Sequence, residues 1–449
     1  MARRGVVARS LLTTLLLSGL YIPIEQAGAD ASSNVTISLW EPAVGPYMNK
    51  LFAEFSKTHP GLSVSLLAYP GLGDNDSSGK LRAAVLGHNS PDLVDAAVPG
   101  ASFIQLLQPL NSYMKTIGVS ANEMVPAAWS YGQWYGQQYG IAHSWDPDTL
   151  LYWNKSLFKA AGLNPNAGPT TWSQLTADAA KIDKISTSGK IETLGFIPWD
   201  GWTNNVVEFA RLWGAPFPVV KHGSGLTVNV ESPATVKALS LYGSLATKYG
   251  LKNILDAGYG NGVNPGGSTG ASGQMADPFA AGRQGMEVTG PWEIGSLKTE
   301  APNLSYGVEA IPVPPGGQPY LVHDGWEWMI PKGAPNPQQA AELIGWLMQP
   351  AQLTQWDLGW GATPTTHAVL QETAFTKNPA FEAILAADKA LGEGSWVPGL
   401  TTGKEYPDGA NFVDIMDLAS ESVVLGKRTA EQAVTWAQQQ LNAAASTNP

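Results

Sequence analysis

A repeated change of hydrophobic period governs what this chain can become. The stretch "VTISLW" sets Val35, Ile37 and Leu39 on one face against Thr36 and Ser38 on the other, the period of two that marks a strand. Pro46 then suits a first helical turn, and Leu51, Phe52 and Phe55 recur at helical spacing until Pro60-Gly61 stops the element. "LSVSLLAY" predicts a second strand, Leu81, Val85 and Leu86 a second helix, and "DLVDAAV" after "HNSP" a third strand. Strands alternating with helices imply an α/β fold whose mainly parallel sheet is covered on both faces. At 449 residues the chain exceeds one small core, so two domains are expected.

The same order resumes after Tyr139. "TLLYWN" predicts a strand, "KSLFKAAG" a short helix ending at Gly162, and Trp172, Leu175, Ala179 and Ile182 a longer helix. Ser232-Pro233 opens a helix carrying Val236, Leu239 and Leu245, and Asn336-Pro337 another carrying Ile344 and Leu347. "GYGNGVNPGGSTGASG", Gly258 to Gly273, reads as a surface loop.

Residues 1–29 read as an export leader: Arg3, Arg4 and Arg9, an apolar stretch from Leu11 to Ile22, then Ala27-Gly28-Ala29 before Asp30. The apolar stretch falls short of the roughly 20 residues that span a bilayer. Arg3-Arg4 also resembles a twin-arginine signal, and the route of export is left open. With no cysteine there is no disulfide, thiolate metal site, cysteine nucleophile or lipid-modified cysteine. A periplasmic, monomeric protein without a lipid anchor is expected. The net charge of -11, with no basic run, argues against a nucleic-acid partner.

Three motif matches fail on context. Gly266-Gly267-Ser268-Thr269-Gly270 fits the nucleophile-elbow pattern but lies in the glycine-rich loop, not between strand and helix. Asp74 to Gly79 resembles the start of a calcium loop, yet Val85 stands where a bidentate Glu is needed. His59, His88, His143, His222, His323 and His367 form no close pair, so no metal site and no cofactor are expected.

Tryptophan is the unusual residue, with 17 in the chain. Trp129, Trp153, Trp172, Trp213, Trp346 and Trp436 lie within apolar periodic segments and are expected in cores. Others stand at strand ends or in loops beside carboxylates and glycines: Trp40 with Glu41, Trp145 with Asp146, Trp199-Asp200-Gly201-Trp202, Gly290-Pro291-Trp292-Glu293, Asp324-Gly325-Trp326, and Trp360 with Gly361. From them, with Asp95 of the third strand, comes the candidate ligand-binding set: Trp40, Glu41, Asp95, Trp145, Asp146, Trp199, Asp200, Trp202, Gly290, Trp292, Asp324, Gly325, Trp326 and Trp360. A pyranose lays its C–H faces on an aromatic ring and donates its hydroxyls to carboxylates. If stacking hides roughly 50 Å² of apolar surface, each ring contributes on the order of 1 kcal/mol.

Four segments carry a resemblance: "YGIAHSWDPDTLLYWNKSLFKAAGL" (Tyr139 to Leu163), "TTWSQL" (Thr170 to Leu175), "FAAGRQGMEVTGPWEIGSL" (Phe279 to Leu297) and "DGWEWMIPKGAPNPQQAAELIGWLMQPAQL" (Asp324 to Leu353). In this order they resemble the family 1 extracellular solute-binding proteins, the maltose-binding-protein-like receptors of bacterial ABC sugar importers. The resemblance implies the two-lobe periplasmic binding protein fold, with hinge crossings and a ligand trapped in the interlobe cleft. It places 30–142 and 301–349 in lobe one and 143–300 and 350–449 in lobe two, with crossings near Ala142, Pro302 and Pro350. It further implies that Trp292 faces the cleft, that Trp40, Glu41 and the segment after Gly325 line it, and that membrane permease subunits are the partners. The chain departs from the family in having Thr289 before Gly-Pro-Trp, Asp324-Gly325 for a double glycine, and Asp146 or Asp148 for the usual Asp-Thr of the crossing.

The function implied is capture of a mono- or oligosaccharide without covalent chemistry. Two rivals remain: a secreted carbohydrate-active hydrolase, whose two carboxyls would stand about 5 to 9.5 Å apart, and the same receptor fold holding a glycerophosphodiester or a quaternary amine.

Overall fold

The computed structural model describes residues 34–42, 44–68, 75–97, 101–147, 149–199, 206–222, 225–259, 277–321, 323–391 and 409–447. Two five-stranded sheets dominate it. The first runs in the order Leu62–Ala68, Val35–Glu41, Leu93–Ala96, Glu327–Met329, Gly140–Ala142. The second runs Tyr306–Ala310, Leu150–Asn154, Gln284–Thr289, Ile191–Phe196, Lys184–Ile185. Neither is mainly parallel. Val35–Glu41 is parallel to both neighbours, but Glu327–Met329 runs antiparallel to Leu93–Ala96 and Gly140–Ala142. In the second sheet Leu150–Asn154 is antiparallel to both neighbours. Strands that enter a sheet from the other half of the molecule arrive from the opposite end, which local periodicity cannot report.

The helices form where the pattern says, for identifiable reasons. Pro46–Thr58 starts on its proline and buries Met48, Leu51, Phe52 and Phe55 on one stripe. Thr171 and Gln174 make a reciprocal capping box for Trp172–Ile182, and Ser232 caps Pro233–Tyr249 through the Thr235 N–H. Asn336 precedes the helix Pro337–Leu347 without capping it. Its backbone N–H and Nδ2 donate to Asp92 instead, tying that helix to the first sheet. The glycine-rich loop expected at 258–273 falls, from 260 on, outside the described residues.

The second core lies on one face of the second sheet, and the first joins the first sheet to the opposite face of the second, through Leu150, Tyr152 and Val308. Leu151, Trp153, Met286 and Val288 pack with Phe412, Met416, Val434 and Leu441 of the C-terminal helices. Ile37, Leu39, Leu93 and Trp328 pack with Leu343, Leu353, Trp356 and Phe381. The expected core tryptophans sit accordingly: Trp153, Trp172, Trp213 and Trp436 in or against the second core, Trp129 and Trp346 against the first.

The routing between halves corrects two expected boundaries. After Ala142 the chain leaves Gly140–Ala142 in the first sheet and enters Leu150–Asn154 in the second. The return does not occur near Pro302, because Tyr306–Ala310 pairs with Leu150–Asn154 in the second sheet. It follows Ala310 and ends at Glu327–Met329. On the way His323–Asp324 pairs antiparallel with Asp146–Pro147, so the two crossings form one ribbon. Nor does the chain cross at Pro350: that proline opens the helix Pro350–Trp360, whose Leu353 and Trp356 belong to the first core. The helices Gly409–Val424 and Ala430–Thr447 pack with the second sheet's core, and 392–408 lies outside the described residues.

Candidate functional site

The carboxyl ends of the parallel strands in an open α/β sheet are where ligands are received, and here those ends are acidic. Glu41 closes its strand and Asp95 lies one residue before the end of its own; both are fully buried. Both alternate onto the face that carries Leu39, Leu93 and Trp328. His143, the first residue of the crossing, sets Nε2 at 2.9 Å from each oxygen of Asp95 and stacks its ring on Trp328 at 4.6 Å.

Trp328 meets Trp356 edge to face at 5.2 Å. Trp356 and Trp360 stand four residues apart on Pro350–Trp360 and therefore share a face. Trp360 reaches Trp326 at 5.5 Å and the His143 ring at 5.6 Å. The helix ends at Gly361, whose φ of 94° is left-handed. A Cβ there would stand 3.0 Å from the Pro291 carbonyl, and one on Gly295 would stand 2.6 Å from the Trp360 carbonyl. Glycine at both positions lets the start of the helix Trp292–Glu300 press directly on the end of Pro350–Trp360. Trp360 and Trp326, both half-buried, are in ring contact, and half-buried Trp292 begins the helix whose backbone lies against the end of Trp360's own.

Acidic groups are concentrated beside those rings. Burial raises the Tyr47 phenol well above its ordinary range, with Glu41, Asp95 and Asp357 adding to the effect. Asp357 is fully buried and no protein donor reaches either carboxylate oxygen. Burial, then the neighbouring Asp146, pushes its carboxyl well up. Asp146 is itself pushed up to about 6 by burial, opposed chiefly by the Thr363 N–H, which donates to it at 2.6 Å.

The candidate residues divide. Glu41 and Asp95 converge on Tyr47, Trp326 and Trp360 meet ring to ring, and Trp292 heads the helix that adjoins Trp360. Trp40 is half-buried on the opposite face of the first sheet, packed with Trp326 against the small core of Leu81, Val94 and Met329. Asp146 sits in the crossing ribbon. Trp145 is a correction: it is 5% exposed, lies edge-on to Tyr131 and stacks on His323 at 5.6 Å, a wedge inside the ribbon. Trp199 is another: it is 0% exposed and packs on Tyr242 in the second core, because the apolar run of Ile191–Phe196 continues through Ile197 to it. Gly290 serves Trp292 through its backbone: its carbonyl accepts the Tyr152 hydroxyl at 2.9 Å, and a Cβ would meet the Trp292 ring at 2.1 Å. Gly325 lets the chain pass Ser144, whose carbonyl a Cβ would approach to 2.7 Å. The Asp324 backbone pairs opposite Asp146. Asp200 and Trp202 lie outside the described residues.

Sequence reasoning missed Tyr47, His143, Trp328, Trp356 and Asp357. Only "QWDLGW" carried a signal, two tryptophans at helical spacing around an aspartate.

A sequence profile described as bacterial extracellular solute-binding protein matches residues 50–383. The structure of CpMnBP1 with mannotriose bound superposes with a TM-score of 0.74 at 30% identity, covering 91% of this chain and 100% of that one. A binding protein of Brucella abortus (strain 2308) is 26% identical over 92% of this chain and 93% of its own length. The sn-glycerol-3-phosphate-binding periplasmic protein of Pectobacterium atrosepticum is 24% identical, over 93% of this chain and 92% of its own length. Among the described residues no helix is long and apolar enough to cross a membrane. The two sheets, the paired crossings and the match over most of the chain lead to one conclusion: this protein belongs to the bacterial extracellular solute-binding proteins, the solute receptors of ABC transporters.

Proposed function

We propose that this receptor binds a mono- or oligosaccharide between its two lobes and delivers it, unaltered, to the permease of an ABC importer. The observation that carries the reading is the ring contact of Trp360 with Trp326, with Trp292 heading the adjoining helix, near the acidic group of Glu41, Asp95 and Asp357. Half-buried indoles offer flat apolar faces for pyranose C–H groups, and buried carboxylates accept hydrogen bonds from hydroxyls. The likeness to CpMnBP1 at 30% identity supports a mannose-containing oligosaccharide as the first ligand to try. Sequence likeness to a glycerol-3-phosphate-binding protein favours an anion instead, but a phosphate brought to these rings would meet the carboxylates of Glu41 and Asp95. The ligand touches both lobes only when they close, so its differential affinity for the closed state drives closure.

In this reading residues 1–29 are removed on export, the mature chain acts as a monomer in the periplasm, and no catalysis or cofactor is involved. Titrating intrinsic tryptophan fluorescence with mannobiose, mannotriose, maltose and sn-glycerol 3-phosphate tests it. Saturable quenching or blue shift is expected at micromolar concentrations of a neutral sugar. Response to glycerol 3-phosphate alone, or release of reducing sugar from the glycans, would overturn the reading.

A further inference from the structure

We propose that Asp277, Glu287 and Glu293 bind a calcium ion beneath the helix that carries Trp292. One carboxylate oxygen from each lies within 4.8 Å of the others. Oxygens held at 2.3–2.6 Å around one calcium ion can stand up to about 5 Å apart, so the three can reach a single ion. Glu287 and Glu293 are 1% and 3% exposed. Carboxylates gathered this closely, two of them buried, repel one another, and a cation or shared protons relieve that repulsion.

A fourth oxygen points to a cation. Thr289 is 2% exposed and its Oγ1 has no protein partner. The register puts Glu287 opposite Tyr152 and Thr289 opposite Leu150, so the two side chains share one face of the second sheet. Chain order places Thr289 between Glu287 on its strand and Glu293 on the first turn of Trp292–Glu300. A hydroxyl oxygen would add a fourth donor to a hard, all-oxygen set of the kind calcium prefers. Asp277 is oriented for the purpose: its oxygens accept the N–H groups of Phe279 and Ala280, at 2.9 and 3.0 Å, which leaves each a further lone pair. Arg283, the cation that acts on Asp277, donates Nη1 to the Ala257 carbonyl.

The three carboxylates come from three segments: the turn at Asp277, the strand Gln284–Thr289 and the helix Trp292–Glu300. An ion among them ties the segments together and fixes the turn that presents Trp292. It does so without contacting the solute.

The test uses the full chain, stripped with EGTA and dialysed, with calcium alone as the probe. Calorimetric titration is expected to show one calcium per chain with Kd at or below about 10⁻³ M, the range of extracellular modules, together with a rise in Tm that equal magnesium does not give. Terbium is expected to luminesce on excitation of tryptophan, since Trp292 adjoins Glu293. Glu287→Gln and Glu293→Gln should each weaken calcium binding at least tenfold. Absence of calcium heat and of any calcium-dependent Tm change in the unsubstituted protein would overturn the proposal, and that measurement decides even if neither variant folds. A Glu287→Gln variant that is more stable in EGTA, in a protein indifferent to calcium, would assign the cluster to shared protons instead.

Discussion

Asp146, in the first crossing between lobes, accepts the backbone N–H of Thr363 at 2.6 Å across 217 residues of sequence. The bond fastens the crossing to the segment that follows the helix Pro350–Trp360, next to buried Asp357. Burial holds the Asp146 carboxyl at about 6 despite that bond. A carboxyl whose folded value is raised contributes stability that is complete below its unfolded value near 4 and is lost as pH rises through about 6. Two units correspond to about 3 kcal/mol.

Asp146→Asn keeps an oxygen for Thr363 and removes the titration. Its Tm should exceed that of the unsubstituted protein at pH 7.5, and the two curves should converge near pH 4. A variant less stable at pH 7.5 would mean that the charged bond to Thr363 outweighs the cost of burial. Differential scanning calorimetry across that pH range reads the outcome.

Trp292 is half-buried, with its Cα at the junction of two helix ends and its ring over Gly290. Trp292→Ala should weaken solute binding at least about tenfold, or 1.4 kcal/mol, while the Tm of the solute-free protein changes little. Comparable losses in both quantities would assign the ring to packing.

Trp199 supplies the contrast. It is fully buried against Tyr242 in the second core, so Trp199→Ala should cost about 3–5 kcal/mol of stability. Denaturant unfolding measures this directly. The fraction that remains folded should bind solute with unchanged Kd, and a selective loss of affinity would return Trp199 to the site.

Gly290 controls the indole from behind. A Cβ there would fall 2.1–2.5 Å from three carbons of the Trp292 ring, so Gly290→Ala must displace it. Overpacking of this kind costs about 1–3 kcal/mol, and the Kd should rise accordingly with a shifted tryptophan emission maximum. Tyr152→Phe, which removes only the hydroxyl donated to the Gly290 carbonyl, should lose about 1 kcal/mol of stability. An unshifted emission maximum in Gly290→Ala would show that the ring has room to yield.

What the sequence determined by itself was local. Pro46 starts a helix because its missing N–H costs nothing in a first turn, and Thr171 starts another because Gln174 answers its capping bond. Pro291 ends the strand Gln284–Thr289 and leaves Trp292 at the head of a helix. Each of these depends on neighbours within a few residues, and the characteristic segments around them suffice to resemble a family.

Only the tertiary structure decided which acidic tryptophan pairs work together. Trp199 beside Asp200 and Trp292 beside Glu293 look alike in sequence, but Trp199 extends a core strand while Trp292 stands where two glycine-bounded helix ends meet. The pairing of His143 with Asp95, and of Asp146 with Thr363, joins residues 48 and 217 positions apart. The membership of Tyr306–Ala310 in the second sheet is likewise a matter of which strand edge it finds. Periodicity states that a segment has a buried face, but the partner of that face is fixed by long-range backbone hydrogen bonding and by where the chain crosses between lobes, and no local pattern encodes either.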